Sequence, residues 1–244
     1  MELQNVTISS LVCIHYTIGD NLSIGILCES ESSRYPWSRA MYIPRKMVMN
    51  EEDSARRFIA AYPFGLMVSP SLAATHLPFI LDPQEGEKGA LYGHVARANP
   101  QWKELAGQRV LVVFSGPHTY ISPRWYPPKE AVPTWNYAAV HCYGVVELLD
   151  AAATRELMAR MLDTFEPGLS GDTTLMPEAY MSRQLQGIVG FKIQLDDVQG
   201  KEKLGQHRSQ EDQQGVFAAL SASDRSDDRQ LAEYMRMRGT GTGR

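Results

Sequence analysis

The sequence predicts a mainly β protein with peripheral helices, and three observations carry that reading. Short runs rich in Val, Ile, Phe and Tyr recur from residue 64 to residue 198, punctuated by Gly, Pro and Asn. Helical character is confined to three stretches, with apolar stripes after Asn50 and after Asp150 and a final helix from about Ser226 to Arg238. Strands and helices do not alternate regularly, which argues against a doubly wound parallel sheet.

Taken in order, "VTISSLVCIHYTIGDNLSIGILCES" is β-prone but leads into the polar "ESSRYPWSRA" without an obvious partner strand. "MYIPRKMVMN" reads as extended. Asn50 is placed to cap a helix with Asp53 at the capping-box position; Ala55, Phe58, Ile59 and Tyr62 share one face, and the helix should stop before Pro63. "FGLMVSP" and "HLPFILD" form a hairpin pattern. "GALYGHVAR" and "RVLVVFSG" are further strands separated by the Asn99-Pro100 break, and "YAAVHCYGVVELL" is a long β-rich run. Asp150 caps a helix whose Leu157, Met158, Met161, Leu162 and Phe165 form an apolar stripe. "GIVGFKIQLDDV" returns to strand character, and the polar "GKEKLGQHRSQEDQQG" precedes the last helix.

Composition bounds the function. With 244 residues, 43% hydrophobic and 21% charged, the chain is of ordinary globular type. Its net charge of -4 and pI of about 5.9 provide no global field for nucleic acid or an anionic membrane, so any contact with promoter DNA needs a local patch. Cys13, Cys28 and Cys142 form no CxxC pair and read as free thiols in a reducing cytoplasm. No run approaches the roughly 18 apolar residues of a membrane span, and the first residues lack the pattern of a secretory leader.

Three stretches carry candidate binding chemistry. In "THLPFIL", Thr75, His76, Leu77 and Pro78 stand at a strand entrance, presenting backbone groups and an imidazole to a ligand or simply satisfying a turn. In "LYGHVARANPQWKEL", Gly93 permits close backbone approach, and His94 and Arg97 are donors ahead of Asn99. The planar fork of Arg97 suits a phosphate, although a surface arginine beside a core histidine explains the same residues. In "SGPHTYISPRWYPP" and "VPTWNYAAVH", Tyr120, Trp125, Tyr126, Trp135 and Tyr137 crowd beside Ser122, Arg124, Thr134 and Asn136. This composition builds a flat apolar wall with polar handles, or a loop pinned to the core. The chain lacks a P-loop, a G-x-G-x-x-G fingerprint, a G-x-S-x-G elbow and H-E-x-x-H, so no catalytic or metal-binding residue is named.

In this order, "MYIP", "THLPFIL", "GHVARANPQW", "FSGPHTYISPRWY", "VPTWNYAAVHCYG", "GIVGFKI" and "KLGQHRSQED" resemble the PaiB-like family, described as FMN-binding negative transcriptional regulators. The resemblance runs from residue 41 to about residue 238. It implies an FMN-binding split β-barrel and a homodimer with FMN at the subunit interface. It places "GHVARANPQW" at the phosphate end and "THLPF" along the isoalloxazine, with the Trp/Tyr segment closing the pocket. It also brings in Lys203 and Gln206, from a stretch that reads K-L-S-Q-N in the family and Lys203-Leu204-Gly205-Gln206-His207 here. A flavin-dependent oxidoreductase on the same barrel is the alternative function.

The resulting organisation is an extension over residues 1–40, a flavin-binding module over 41–238 and a flexible tail over 239–244. The β-prone extension could add a strand or cover a sheet edge, but the family pattern begins only at the in-frame Met41. A chain starting at Met41 should therefore keep its FMN affinity, dimerisation and melting temperature within error. Aggregation or loss of FMN by that shortened chain would make the extension part of the fold.

Overall fold

The long strands bury every second side chain, the signature of a sheet with one face on the core. In this computed structural model, residues 41–49, 52–128 and 130–244 are described. The expected extension over 1–40 and the Asn50 cap lie outside them. "RKM" in the stretch read as extended is a 3-10 turn, Arg45–Met47, and α1 (Glu52–Ala61) follows, burying Phe58 and Ile59. Seven antiparallel strands come next: β1 (Phe64–Val68), β2 (Ala74–Pro78), β3 (Ile80–Asp82), β4 (Ala90–Ala96), β5 (Arg109–Ile121), β6 (Thr134–Leu148) and β7 (Ile188–Lys203).

Their order in the sheet is β2-β1-β5-β6-β7-β4-β3. Thus β2 and β3, separated in the chain only by Phe79, lie at opposite edges of one sheet. The sheet must curl until those edges approach, which makes it a half-barrel. Phe79 is 1% exposed and points inward, edge-on to Phe114 at 5.6 Å and to Phe191 at 6.2 Å. Gly93 leaves room for this packing, because a Cβ there would stand 3.0 Å from Phe191 and 3.3 Å from Phe79. Met67, Val112, Cys142, Leu91 and Ile193 complete the interior.

The elements around the barrel follow the parity of the strands. On β7, Phe191 points inward, and Gly190 faces out against Thr154 of α3 (Ala151–Phe165), which is capped by Asp150 as expected from the sequence. A register shift in β5 between Ser115 and His118 carries the long ends of β5, β6 and β7 beyond the barrel. There α5 (Gln210–Ser221) and α6 (Ser226–Arg238) cover the inward-facing side.

Three α-helices were not legible as stripes: α2 (Trp102–Leu105), α4 (Glu178–Gln186) and α5. α2 is one turn long, α4 buries no residue, and α5 opens on "QEDQQ" with Val216 and Leu220 as its buried apolar anchors. The terminal residues, expected as a flexible tail, turn back onto α5. Gly239 turns the chain at φ 59°, Thr242 is 8% exposed, and the Gly243 carbonyl accepts from Gln210 and Gln214 of α5 at 2.9 and 2.8 Å. Glycine is required at 241, where a Cβ would lie 2.1 Å from the Leu204 carbonyl oxygen.

Two buried acids pin α6 to the sheet. Glu202 accepts from the Tyr234 hydroxyl at 2.5 Å and from Arg238 Nε at 2.7 Å. Asp228, 4% exposed, accepts from the hydroxyls of Thr119 and Ser223 at 2.5 and 2.6 Å. Asp228→Ala strands the Thr119 hydroxyl, which is 1% exposed, and should cost about 1–3 kcal/mol. A urea titration with an unchanged slope and a lower midpoint is the expected result.

Candidate functional site

The outer face of β1, β5, β6 and the second half of β7 has no helix packed on it among the described residues. Phe64, Leu66, Val113, His118, Tyr120, Trp135, Tyr137, Ala139 and His141 stand on it, half-buried or exposed. Phe64 and Trp135 are 62% and 52% exposed. Large apolar surface of this kind marks an interface or a ligand seat.

At one end of this face lies the "THLPF" strand. The Thr75 hydroxyl donates to Gln101 Oε1 at 2.6 Å and accepts from Asn99 Nδ2 at 3.1 Å, while Asn99 Oδ1 accepts the Gln101 amide at 3.0 Å. This ring of bonds ties β2 to the loop after β4. His76 turns outward and stacks on Phe64, centroids 5.9 Å apart and planes within 16°. Leu77 points inward and is buried, and Pro78 is half-buried.

His94 lies on β4 opposite Gly190, and its Nδ1 is buried without a hydrogen-bond partner. Burial holds its pKa below the usual imidazole value, so it is neutral at pH 7. Arg97 donates through Nε to the Gln186 carbonyl at 2.8 Å and through Nη2 to the Ile188 carbonyl at 2.9 Å, with its plane over Trp102 at 5.9 Å. The fork read as a phosphate clamp is thus largely committed to joining β4 to the start of β7.

The remaining expected residues gather at the far end. Ser122 caps the 3-10 turn Pro123–Trp125 by accepting the Arg124 amide at 3.2 Å, and Trp125 leans on the core. Asn136 faces inward, 2% exposed. Trp135 faces out, edge-on to Tyr120 at 6.3 Å and 6.4 Å from His118. Lys203 Nζ donates to Thr134 Oγ1 at 2.5 Å and to the Trp135 carbonyl at 2.8 Å. Gln206 acts as a clamp: its Oε1 accepts the Leu204 amide, and its Nε2 donates to the carbonyls of Glu202 and Lys46.

The candidates therefore form two groups. Thr75 pairs with Met67, which pairs with Val112, whereas Trp135 pairs with Tyr120. From Val112 to Tyr120 along β5 is roughly 25 Å. Arg97 and Lys203 sit at opposite ends of β7, a contour of roughly 50 Å. A single flavin does not reach both groups of one copy.

The sequence reading named Lys203 and passed over its neighbour Lys201. Lys201 is sandwiched between the rings of Tyr42 and Tyr137, 5.4 and 5.3 Å from their centroids, and donates to the Tyr42 carbonyl at 2.8 Å. Burial, with the Lys201 charge, keeps the His141 imidazole below its usual pKa. Lysines at positions 201 and 203 with an inward glutamate between them were the available signal, since residues two apart share one strand face.

The face fits a flat aromatic ligand with an anionic tail: rings to cover a heterocycle, hydroxyl and amide donors at one end, ammonium groups at the other. Covalent chemistry through Cys142 is excluded, because the thiol is fully buried and burial raises its pKa far above neutrality. Among the described residues no cluster of His, Cys, Asp and Glu could hold a metal ion, and no helix is long and apolar enough to cross a membrane.

Comparison with known proteins identifies the family and the fold. Residues 41–197 match the family described as "Putative FMN-binding domain". The chain is 37% identical over 202 residues to "Protease synthase and sporulation protein PAI 2" of Bacillus subtilis (strain 168), covering 80% of this chain and 96% of that protein. It is 29% identical over 209 residues to the uncharacterized protein AN0679 of Emericella nidulans, covering 70% and 83%. Among solved structures, the flavocytochrome Anf3 of Azotobacter vinelandii superposes with a TM-score of 0.52 at 17% identity, over 66% of this chain and 72% of that one, a likeness of fold. With its curled antiparallel sheet and this match, the fold is the split β-barrel, and the chain belongs to the PaiB-like family of FMN-binding-domain proteins.

Proposed function

We propose that two copies of the chain hold FMN between their outer sheet faces, and that this flavin-loaded homodimer is a negative regulator of transcription. The separation of the two candidate groups carries the reading. A two-fold axis brings Thr75, His76 and Asn99 of one copy toward Trp135 and Lys203 of the other, completing two equivalent sites at once. Phe64, Leu66, Val113 and Tyr137 then leave water together. The isoalloxazine, when bound, supplies reversible electron and hydride acceptance. His76, Trp135 and His118 bound its plane, Thr75 and Asn99 fix an edge, and the lysines face the tail.

The regulatory half of the reading rests on the family resemblance. A contact with promoter DNA in a chain of net charge -4 uses a local cationic patch and is steeply salt-dependent. That same acidic balance favours a second reading, a cytoplasmic flavin-dependent oxidoreductase acting on a small molecule.

Light scattering of the purified protein should give a dimer carrying FMN; a monomer at micromolar concentration with FMN still bound rules out the shared site. A gel-shift titration against NAD(P)H bleaching separates the two functions. Regulation requires a promoter shift that weakens with salt, whereas bleaching of the flavin with turnover of an acceptor, and no shift, assigns the enzyme.

A further inference from the structure

Where β7 ends and α5 begins, four basic side chains converge: Lys46, Lys203, His207 and Arg208. Lys46 arrives from the 3-10 turn Arg45–Met47 and is positioned by the bond from Gln206 Nε2 to its carbonyl, 3.0 Å. Two of the three N–H bonds of Lys203 are fixed by Thr134 and Trp135. Arg208 lies over the Tyr126 ring at 4.9 Å, and its amide donates to the Gly205 carbonyl at 2.9 Å, closing the turn that carries His207.

These groups act on one another electrostatically. Burial holds the Lys203 ammonium below its usual pKa, and the charges of Lys201 and Arg208 add to this. His207 is held down by burial and then by Arg208 and Lys203 from its own turn and Lys46 from the 3-10 turn. No carboxylate enters either balance. The acids of the first turn of α5 are Glu211, exposed, and Asp212, buried at 2%. Lys46, Lys203 and Arg208 form no ion pair among the described residues, although the chain is acidic overall. Asp212 lines the same cavity as Arg208, and beyond it like charges held together raise the local potential and concentrate anions. Exposed Trp135 stands beside them.

We propose that Lys46, Lys203, His207 and Arg208 seat a phosphate monoester dianion, and that His207 takes up a proton as the dianion binds. Identifying that dianion as the phosphate of FMN rests on the flavin reading above; the anion seat itself does not. Arg97, committed to the carbonyls of Gln186 and Ile188, is then a positioning residue for the β4–β7 junction.

The pH dependence has a definite sign. Without the anion, burial and three cations keep His207 neutral at pH 7. A bound dianion offsets those cations and raises the imidazole pKa, so binding consumes a proton between the two values and affinity rises as pH falls through that window. The second ionisation of the phosphate itself, near pH 6, works in the opposite direction. His207→Asn, which installs the residue usual in the family, removes the histidine contribution and leaves that of the ligand.

The test is flavin fluorescence quenching at about pH 8, above the ordinary imidazole range, and at about pH 6.5, within the window between the free and the anion-bound His207. FMN and riboflavin are titrated into the unmodified protein, Lys46→Ala, His207→Asn and Arg97→Ala. The expected result is that Lys46→Ala and His207→Asn weaken FMN about 3- to 10-fold with riboflavin unchanged, as for a lost charge-assisted contact to phosphate alone. Arg97→Ala leaves the FMN-to-riboflavin ratio as it was. From pH 8 to pH 6.5, FMN affinity gains more in the unmodified protein than in His207→Asn. Selective loss of FMN in Arg97→Ala, with Lys46→Ala and His207→Asn unaffected, overturns the proposal. Should neither flavin bind, inorganic phosphate titrated against the His207 ring resonances decides: a raised midpoint keeps the anion seat and discards the flavin reading, and an unmoved midpoint removes both.

Discussion

Closure of the sheet around Phe79 is the constraint on which the rest depends. One residue joins the two edge strands of a seven-stranded sheet, so the sheet cannot lie flat. Burying Phe79 against Phe114 and Phe191 sets the curl, and the gap left at Gly93 lets strand and ring approach. Full burial of such a side chain is worth about 1.5–3 kcal/mol, but its larger effect is topological. Curling defines an inside and an outside, and with them the meaning of every alternate residue on β5, β6 and β7.

β7 shows the consequence most directly. Its inward Glu202 bonds Tyr234 and Arg238 and so docks α6. Its outward neighbours Lys201 and Lys203 point to the other side, Lys201 buried between two tyrosine rings and Lys203 against the Trp135 backbone. A one-residue slip would exchange these roles, placing two ammonium groups in the core and a carboxylate in the cationic end. The docking of α6 and the charge of the opposite face are therefore fixed by the same register, and the buried acid that holds the helix is also what keeps the lysines facing outward.

Much of this was readable from residue patterns, and the failures have physical causes. Strands of period two and the two stripes at Phe58/Ile59 and Leu157/Met161 were legible because burial there is periodic. α4 and α5 were not, since α4 buries nothing and α5 fully buries just Val216 and Leu220 of its apolar residues after a polar opening. The tail over 239–244 reads as flexible from its glycines, yet those glycines are what allow it to turn back onto α5. Site residues were harder. Aromatic wall and Thr75–Asn99 donors were legible as types, but whether Arg97 was free depended on the carbonyls of Gln186 and Ile188, about 90 residues away in the chain, which no local pattern reports.

The cationic end illustrates a further limit of reading side chains singly. Lys46, Lys203, His207 and Arg208 come from two segments about 160 residues apart and are joined through Gln206, whose amide reaches the Lys46 carbonyl. Gln206, expected as a ligand contact, brackets the two segments through its hydrogen bonds. The turn it braces is also bounded by the α5–α6 layer, because Gly241 packs on the Leu204 carbonyl and the tail is held by α5. The positions of these charges are thus set by the C-terminal helices, although none of the charges lies on α6. An anion bound there would favour the arrangement in which β7, the turn after it and the C-terminal layer are docked together, since by linkage a ligand stabilises the state that binds it.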